Sequence, residues 1–94
     1  MSNYIITQYS YDQAKKLNLI IKQSKTKNKK IDVYDIDDKF LHCIGDIRYN
    51  DYPSYLSTYN KQYANERRRL YHIRHQKNIN IVNSKQFLAA NLLW

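Results

Sequence analysis

The sequence predicts an α+β fold: a three-stranded antiparallel β-meander packed by a long helix, with short N-terminal and C-terminal helices added. Three observations predict it. Runs rich in β-branched and aromatic residues follow one another between Leu19 and Ile44, separated by polar turn residues. From about Thr58 to Lys77, Tyr59, Tyr63, Leu70 and Ile73 recur on one stripe at about 100° per residue. A serine followed by Phe87, Leu88, Leu92 and Trp94 marks a second, shorter helix near the end.

Taken in order, Tyr4–Gln8 reads as a short edge strand. Ser10-Tyr11-Asp12-Gln13 has the pattern of a capping box, with the good helix formers Ala14 to Leu17 behind it. Leu19–Lys22 is the first strand of the meander, and Ser24–Lys29 is a polar turn. In Lys30–Ile36, Ile31 and Val33 alternate with Asp32 and Tyr34, which suits a strand with one apolar face. Asp37-Asp38 makes a tight turn into a third strand, Lys39–Ile44, which Gly45 ends. Asp46–Ser57 reads as a loop closed by Asp51-Tyr52-Pro53, because proline has no ladder donor. Thr58 is then the expected N-cap of the long helix, and Ser84 that of the last one, Ser84–Trp94.

A chain of 94 residues without repeat or glycine-rich linker suits a single domain, 1–94. No apolar run approaches the roughly 20 residues that span a bilayer, and Met1-Ser2-Asn3-Tyr4 lacks the basic and apolar regions of a secretion signal. Cys43 is the only cysteine, so no intrachain disulfide forms. These features predict a soluble protein inside a cell. The formal charge is +8 and is unevenly spread. Gln13–Lys30 holds seven lysines and no acid, Ile31–Asp51 holds six aspartates, and from Tyr52 onward seven basic residues face only Glu66. Such a balance bears on partners rather than fold, and it suits an anionic one.

Two basic clusters are the candidate nucleic-acid contacts. The hairpin cluster is Lys22, Lys25, Lys27, Lys29 and Lys30; the helix cluster is Arg67, Arg68 and Arg69. Lysines and arginines in such density contact phosphates, which position a protein without reading sequence. On the helical stripe, Arg67 and Arg74 fall near the core side, while Arg68, Arg69 and His72 point elsewhere. A core-side arginine snorkels to solvent, braces a carboxylate, here Asp46 or Asp51, or receives a phosphate on its fork.

No cofactor or metal is expected. His42-Cys43 and His72 with His75 offer nitrogen and sulfur ligands, but Cys43 alternates to the opposite strand face from His42, and paired cysteines are lacking. An enzyme is not expected either. There is no glycine-rich phosphate loop, nucleophile elbow or acid pair on a strand, and so short a chain leaves little room for a preorganised pocket.

The order Gly45 … Tyr49-Asn50-Asp51-Tyr52 … Arg67-Arg68 … Tyr71 … Arg74-His75 … Leu92-Leu93-Trp94 resembles a family of short, uncharacterised proteins of large DNA viruses of algae and amoebae. The resemblance covers about Lys30–Trp94, and three departures mark it. Ile44 stands where the family has an aromatic, Pro53 where a threonine follows Asp-Tyr, and Ala90-Asn91 where a Ser-Arg-like step precedes Leu-Leu-Trp. The resemblance implies a viral origin, with a location in the infected host cell or the virion, and no mechanism. It also implies that Asp51, Tyr52, Tyr71, Arg74 and His75 act together, as a structural clasp ahead of a site.

Two functions follow as expectations. The first is a small viral protein that binds nucleic acid non-specifically through phosphates, DNA favoured over RNA. The alternative is a virion structural or assembly protein that docks on a protein partner, or on a second copy, through Leu92, Leu93 and Trp94.

Overall fold

The computed structural model describes residues 4–94. The start of the segment in which no secretion signal was expected, Met1–Asn3, lies outside the described residues. The architecture is α+β, with a three-stranded antiparallel sheet and four helices among the described residues. The chain divides into two compact units, Met1–Tyr49 and Asn50–Trp94.

The first unit begins with α1 (Gln8–Lys16). Gln8 opens this helix, so the expected edge strand at Tyr4–Gln8 does not form, and the N-cap is Thr7 rather than Ser10. The Thr7 hydroxyl accepts from the Ser10 N–H at 3.3 Å, which satisfies one of the helix's orphan donors three residues earlier than the capping-box pattern suggested. At the other end Asn18 takes φ 56°, and the N–H groups of Asn18 and Leu19 return to the carbonyls of Lys15 and Ala14. That is the Schellman closure, with asparagine where glycine is usual.

The sheet is a meander of β1 (Ile20–Gln23), β2 (Lys29–Tyr34) and β3 (Phe40–Asp46), in that order. Ile31 pairs with Gln23 and Ile44, and Val33 with Ile21 and His42, so the alternation puts Ile21, Ile31, Val33 and Ile44 on one face. All four are buried, each burial stabilising by roughly 1.5–3 kcal/mol. Lys30, Asp32 and Tyr34 take the opposite face with Cys43, which therefore points away from His42. Gly45 lies inside β3 at φ 77° rather than ending it. The turn from β2 to β3 is wound on Asp35, whose carboxylate accepts from the N–H groups of Asp37 and Lys39, both at 2.9 Å.

The second unit holds α2 (Tyr52–Thr58), α3 (Lys61–Arg74) and α4 (Lys85–Leu92). Where a loop up to Ser57 was expected there is a helix, and Thr58 ends it instead of opening the next. Asp51 explains the difference. Its carboxylate accepts from the Ser54 N–H at 3.1 Å and the Ser54 hydroxyl at 2.8 Å. Pro53 sits in the first turn, where a missing N–H costs nothing. Asn60 then caps α3 through the Tyr63 N–H at 2.7 Å, and Ser84 caps α4 through Phe87 as expected. Tyr52, Ala64, Leu88, Ala89, Ala90, Leu92 and Leu93 are the buried apolar residues of this unit. The Tyr52 N–H donates to the Leu93 carbonyl at 3.0 Å, tying the start of α2 to the end of α4.

Five non-glycine residues occupy positive φ among the described residues: Asn18, Asn28, Asp38, Asn78 and Asn83. Asparagine and aspartate tolerate this region better than other side chains. A chain with one glycine thus turns its corners on Asx residues.

Candidate functional site

The lysine loop between β1 and β2 is built around a buried acid. Asp32, 4% exposed, accepts from the Ser24 hydroxyl at 2.7 Å and the Lys25 N–H at 3.2 Å. Ser24 is itself buried, and its oxygen accepts from the Thr26 N–H at 3.1 Å. The far side is held by the Ile47 N–H on the Asn28 carbonyl at 3.0 Å. A carboxylate that accepts from the loop backbone orders the turn from within. Lys25 and Lys27 are exposed on it, without an acid at ion-pair distance among the described residues. Half-buried Lys29 pairs in register with Asp46, and its charge helps hold that carboxyl below its usual range, after the dominant hydrogen bonds from Arg48.

The five hairpin lysines do not share one surface. Lys30 is 3% exposed, with its ammonium 5.1 Å from the centre of the Tyr4 ring. Strand alternation sends it to the opposite face from Lys29. The Lys22 ammonium lies 4.9 Å from the Tyr34 ring and 3.8 Å from an Asp38 carboxylate oxygen. The cluster left on the loop is therefore Lys25 and Lys27, with Lys29 at its base.

On α3 the inward face is also shifted from the expected stripe. Ala64 is fully buried, while Tyr59, Tyr63 and Ile73 are 56%, 42% and 49% exposed. The arginine that turns inward is Arg68. Its guanidinium lies 3.5 Å from the Tyr52 ring centre, and its Nε donates to the Trp94 backbone oxygen at 2.6 Å. A guanidinium stacked on an aromatic face is attracted by the ring itself. Tyr52 in turn donates its hydroxyl to Asn65 at 2.9 Å. Arg69 is exposed and forks onto Glu66, one turn back, lowering that carboxyl and raising the guanidinium through the shared hydrogen bonds. Arg67 is half-buried, 5.6 Å from the Tyr55 ring centre.

The clasp residues come together only in part. Trp94 stacks on Tyr71 at 4.5 Å and 9°, and the His75 ring lies 4.3 Å from the same tyrosine. Burial pushes the Tyr71 phenol up, opposed by the Arg74 charge. Arg74 itself is exposed, and Asp51 serves as the cap of α2. Asp46, expected to brace Arg67 or Arg74, is instead gripped by Arg48 at 2.6 Å. Leu92 and Leu93 are buried, so a docking surface at Leu92, Leu93 and Trp94 is reduced to part of the Trp94 ring.

An open groove of about 640 Å³ runs along α3, lined by Asn65, Arg68, Arg69, His72, Ile73, Gln76 and Ile79. Its His72 imidazole is held below its usual pKa by burial and then by the Arg68 charge, against a raising contribution from the Trp94 backbone. Of the two arginines that line it, Arg68 is committed to the Tyr52 ring and the Trp94 backbone oxygen, and Arg69 to Glu66. Among the described residues no group of three or more His, Cys, Asp or Glu is placed to hold a metal ion, and no helix is long and apolar enough to cross a membrane.

Asp32, Ser24, Tyr55 and Asn65 are the site residues that sequence reasoning passed over. The signal for Asp32 was present, as an acid between Ile31 and Val33 in a strand beside a lysine turn. Comparison with protein-family models, with curated proteins and with solved structures gives no match.

Proposed function

We propose that the protein binds nucleic acid without sequence preference, through phosphate contacts from Lys25, Lys27 and Lys29 and from three arginines of α3, Arg67, Arg69 and Arg74. The observation that carries this reading is the lysine loop. A buried carboxylate orders its backbone from below, accepting from the Ser24 hydroxyl and the Lys25 N–H. Lys25 and Lys27 are thus presented on a pinned turn, with Lys29 at its base, whereas a merely solubilising turn needs no such support. The arginines add a second cationic surface, on which Arg69 is exposed and shared with Glu66. The resemblance to short proteins of large DNA viruses is in keeping with DNA as the ligand, in an infected cell or a virion.

The test is a salt titration of binding to duplex DNA, single-stranded DNA and RNA. Log affinity falls linearly with log salt, and on duplex DNA every neutralised phosphate adds about 0.9 to the steepness of that line. Changing Lys25, Lys27 and Lys29 together to Glu abolishes measurable binding at moderate salt, whereas Lys30→Gln costs stability rather than slope. Affinity that stays constant from low to moderate salt overturns the reading.

A further inference from the structure

Three tyrosines at four-residue spacing gather where α2 meets α3. The Tyr59 ring lies 4.6 Å from Tyr63 and 5.9 Å from Tyr55, and Tyr55 meets Tyr63 edge-on at 5.6 Å. The Arg67 guanidinium flanks the group, 5.6 Å from Tyr55. Tyr55 ties the group to the Trp94 ring, 6.0 Å away, but the two outer rings are not part of the core. The buried apolar residues of the second unit are Tyr52, Ala64 and residues at the end of the chain, Leu88 to Leu93, while Tyr59 and Tyr63 leave 56% and 42% of their surface in solvent. Asn60 holds the geometry, since it caps α3 one residue after Tyr59 and so fixes the turn between the two most exposed rings.

Charge selects the occupant of this surface. Residues 50–94 carry seven Lys and Arg against Asp51 and Glu66, of which Asp51 caps α2 and Glu66 is held by Arg69. A second copy would bring the same positive charge against this one, whereas a nucleic acid neutralises it. Exposed aromatic rings beside arginines are what unpaired bases stack on, and a duplex cannot offer its base faces. We infer that Tyr59 and Tyr63, backed by Tyr55 and flanked by Arg67, form a stacking platform for unpaired bases, so that single-stranded nucleic acid is the preferred ligand. This rests on the reading of the protein as a nucleic-acid binder. It adds a preference for strand state that phosphate contacts alone do not supply.

The experiment compares an oligothymidylate with a duplex of equal length, by fluorescence anisotropy, for the wild type, a Tyr59→Ala/Tyr63→Ala variant and a Tyr59→Phe/Tyr63→Phe variant. The alanine pair lowers single-strand affinity about tenfold or more, because base stacking is removed. It leaves duplex affinity and the salt slope unchanged. The phenylalanine pair keeps wild-type affinity, because the rings and not the hydroxyls meet the bases. Tyr59→Ala alone, at the most exposed ring, is read in parallel so that a folding defect in the double variant does not decide the result. Equal weakening on both ligands, no weakening on either, or a phenylalanine pair as weak as the alanine pair overturns the platform while leaving the phosphate reading in place. A wild-type dimer that dissociates in the alanine pair, seen by light scattering, also overturns it. Wild-type protein that binds neither ligand at low salt overturns both readings together.

Discussion

Arg68 is a cation seated on a tyrosine ring and fastened to a backbone oxygen. Replacing it with alanine removes a close cation–π interaction and a charge-assisted hydrogen bond, and costs about 2–3 kcal/mol of unfolding free energy. Chemical denaturation measures that cost, and Arg68→Lys recovers little of it, because an ammonium has no planar fork to lay on the ring. His72 carries a pH dependence whose sign follows from its depressed pKa. The folded state binds the proton less readily than the unfolded chain, so the stabilisation is fully present above the ordinary imidazole value of about 6.5 and is lost as pH falls through the lowered folded value. His72→Gln removes this dependence, so the denaturation midpoints of wild type and variant, followed from neutral to acid pH, diverge below about 6.5. Parallel curves contradict the assignment.

At the scale of elements, the meander was legible because its alternation is unambiguous. One register puts Ile21, Ile31, Val33 and Ile44 on a single face, and a one-residue slip would turn this apolar set to the other face. The helices of the second unit were less legible. Asp-Tyr-Pro reads equally well as the close of a loop and as a cap with proline in the first turn, and only the Asp51–Ser54 geometry decides for the helix. The inward face of α3 was misplaced for a related reason. Tyrosine serves both as a core residue and as a surface one, so Tyr59 and Tyr63 indicated a stripe that Ala64, Arg68 and Tyr71 occupy. The roles separate in one substitution. Asp51→Ala removes the cap of α2 and lowers stability by about 1–2 kcal/mol, while affinity for nucleic acid stays at the wild-type level. An Asp51→Ala protein of unchanged stability with weakened binding would reverse the assignment. Turns offer a second check by thermal denaturation, since Asn78 and Asn83 at positive φ, replaced by alanine, cost about 1 kcal/mol each and replaced by glycine cost nothing.

At the scale of the molecule, the +8 charge was legible as a total, and its division of labour was not. Lysine count in the hairpin does not show that Lys30 is buried or that Lys22 is shared between Asp38 and Tyr34, because those facts arise from strand pairing and turn geometry. Nor does composition mark the boundary between Tyr49 and Asn50, where there is no glycine, proline or serine run to suggest a linker. The proposed phosphate contacts are a subset of these cations: the lysine loop in one unit and three arginines on α3 in the other.

The seating of Arg68 on an aromatic face has a practical corollary. Salt screens charges that meet across solvent, and it does little to a guanidinium laid directly on a ring. Ionic strength should therefore act as a release control without acting as a denaturant. Protein loaded on an anionic resin and washed off with concentrated salt is expected to emerge with its helical circular dichroism and melting temperature intact, ready to rebind on dilution.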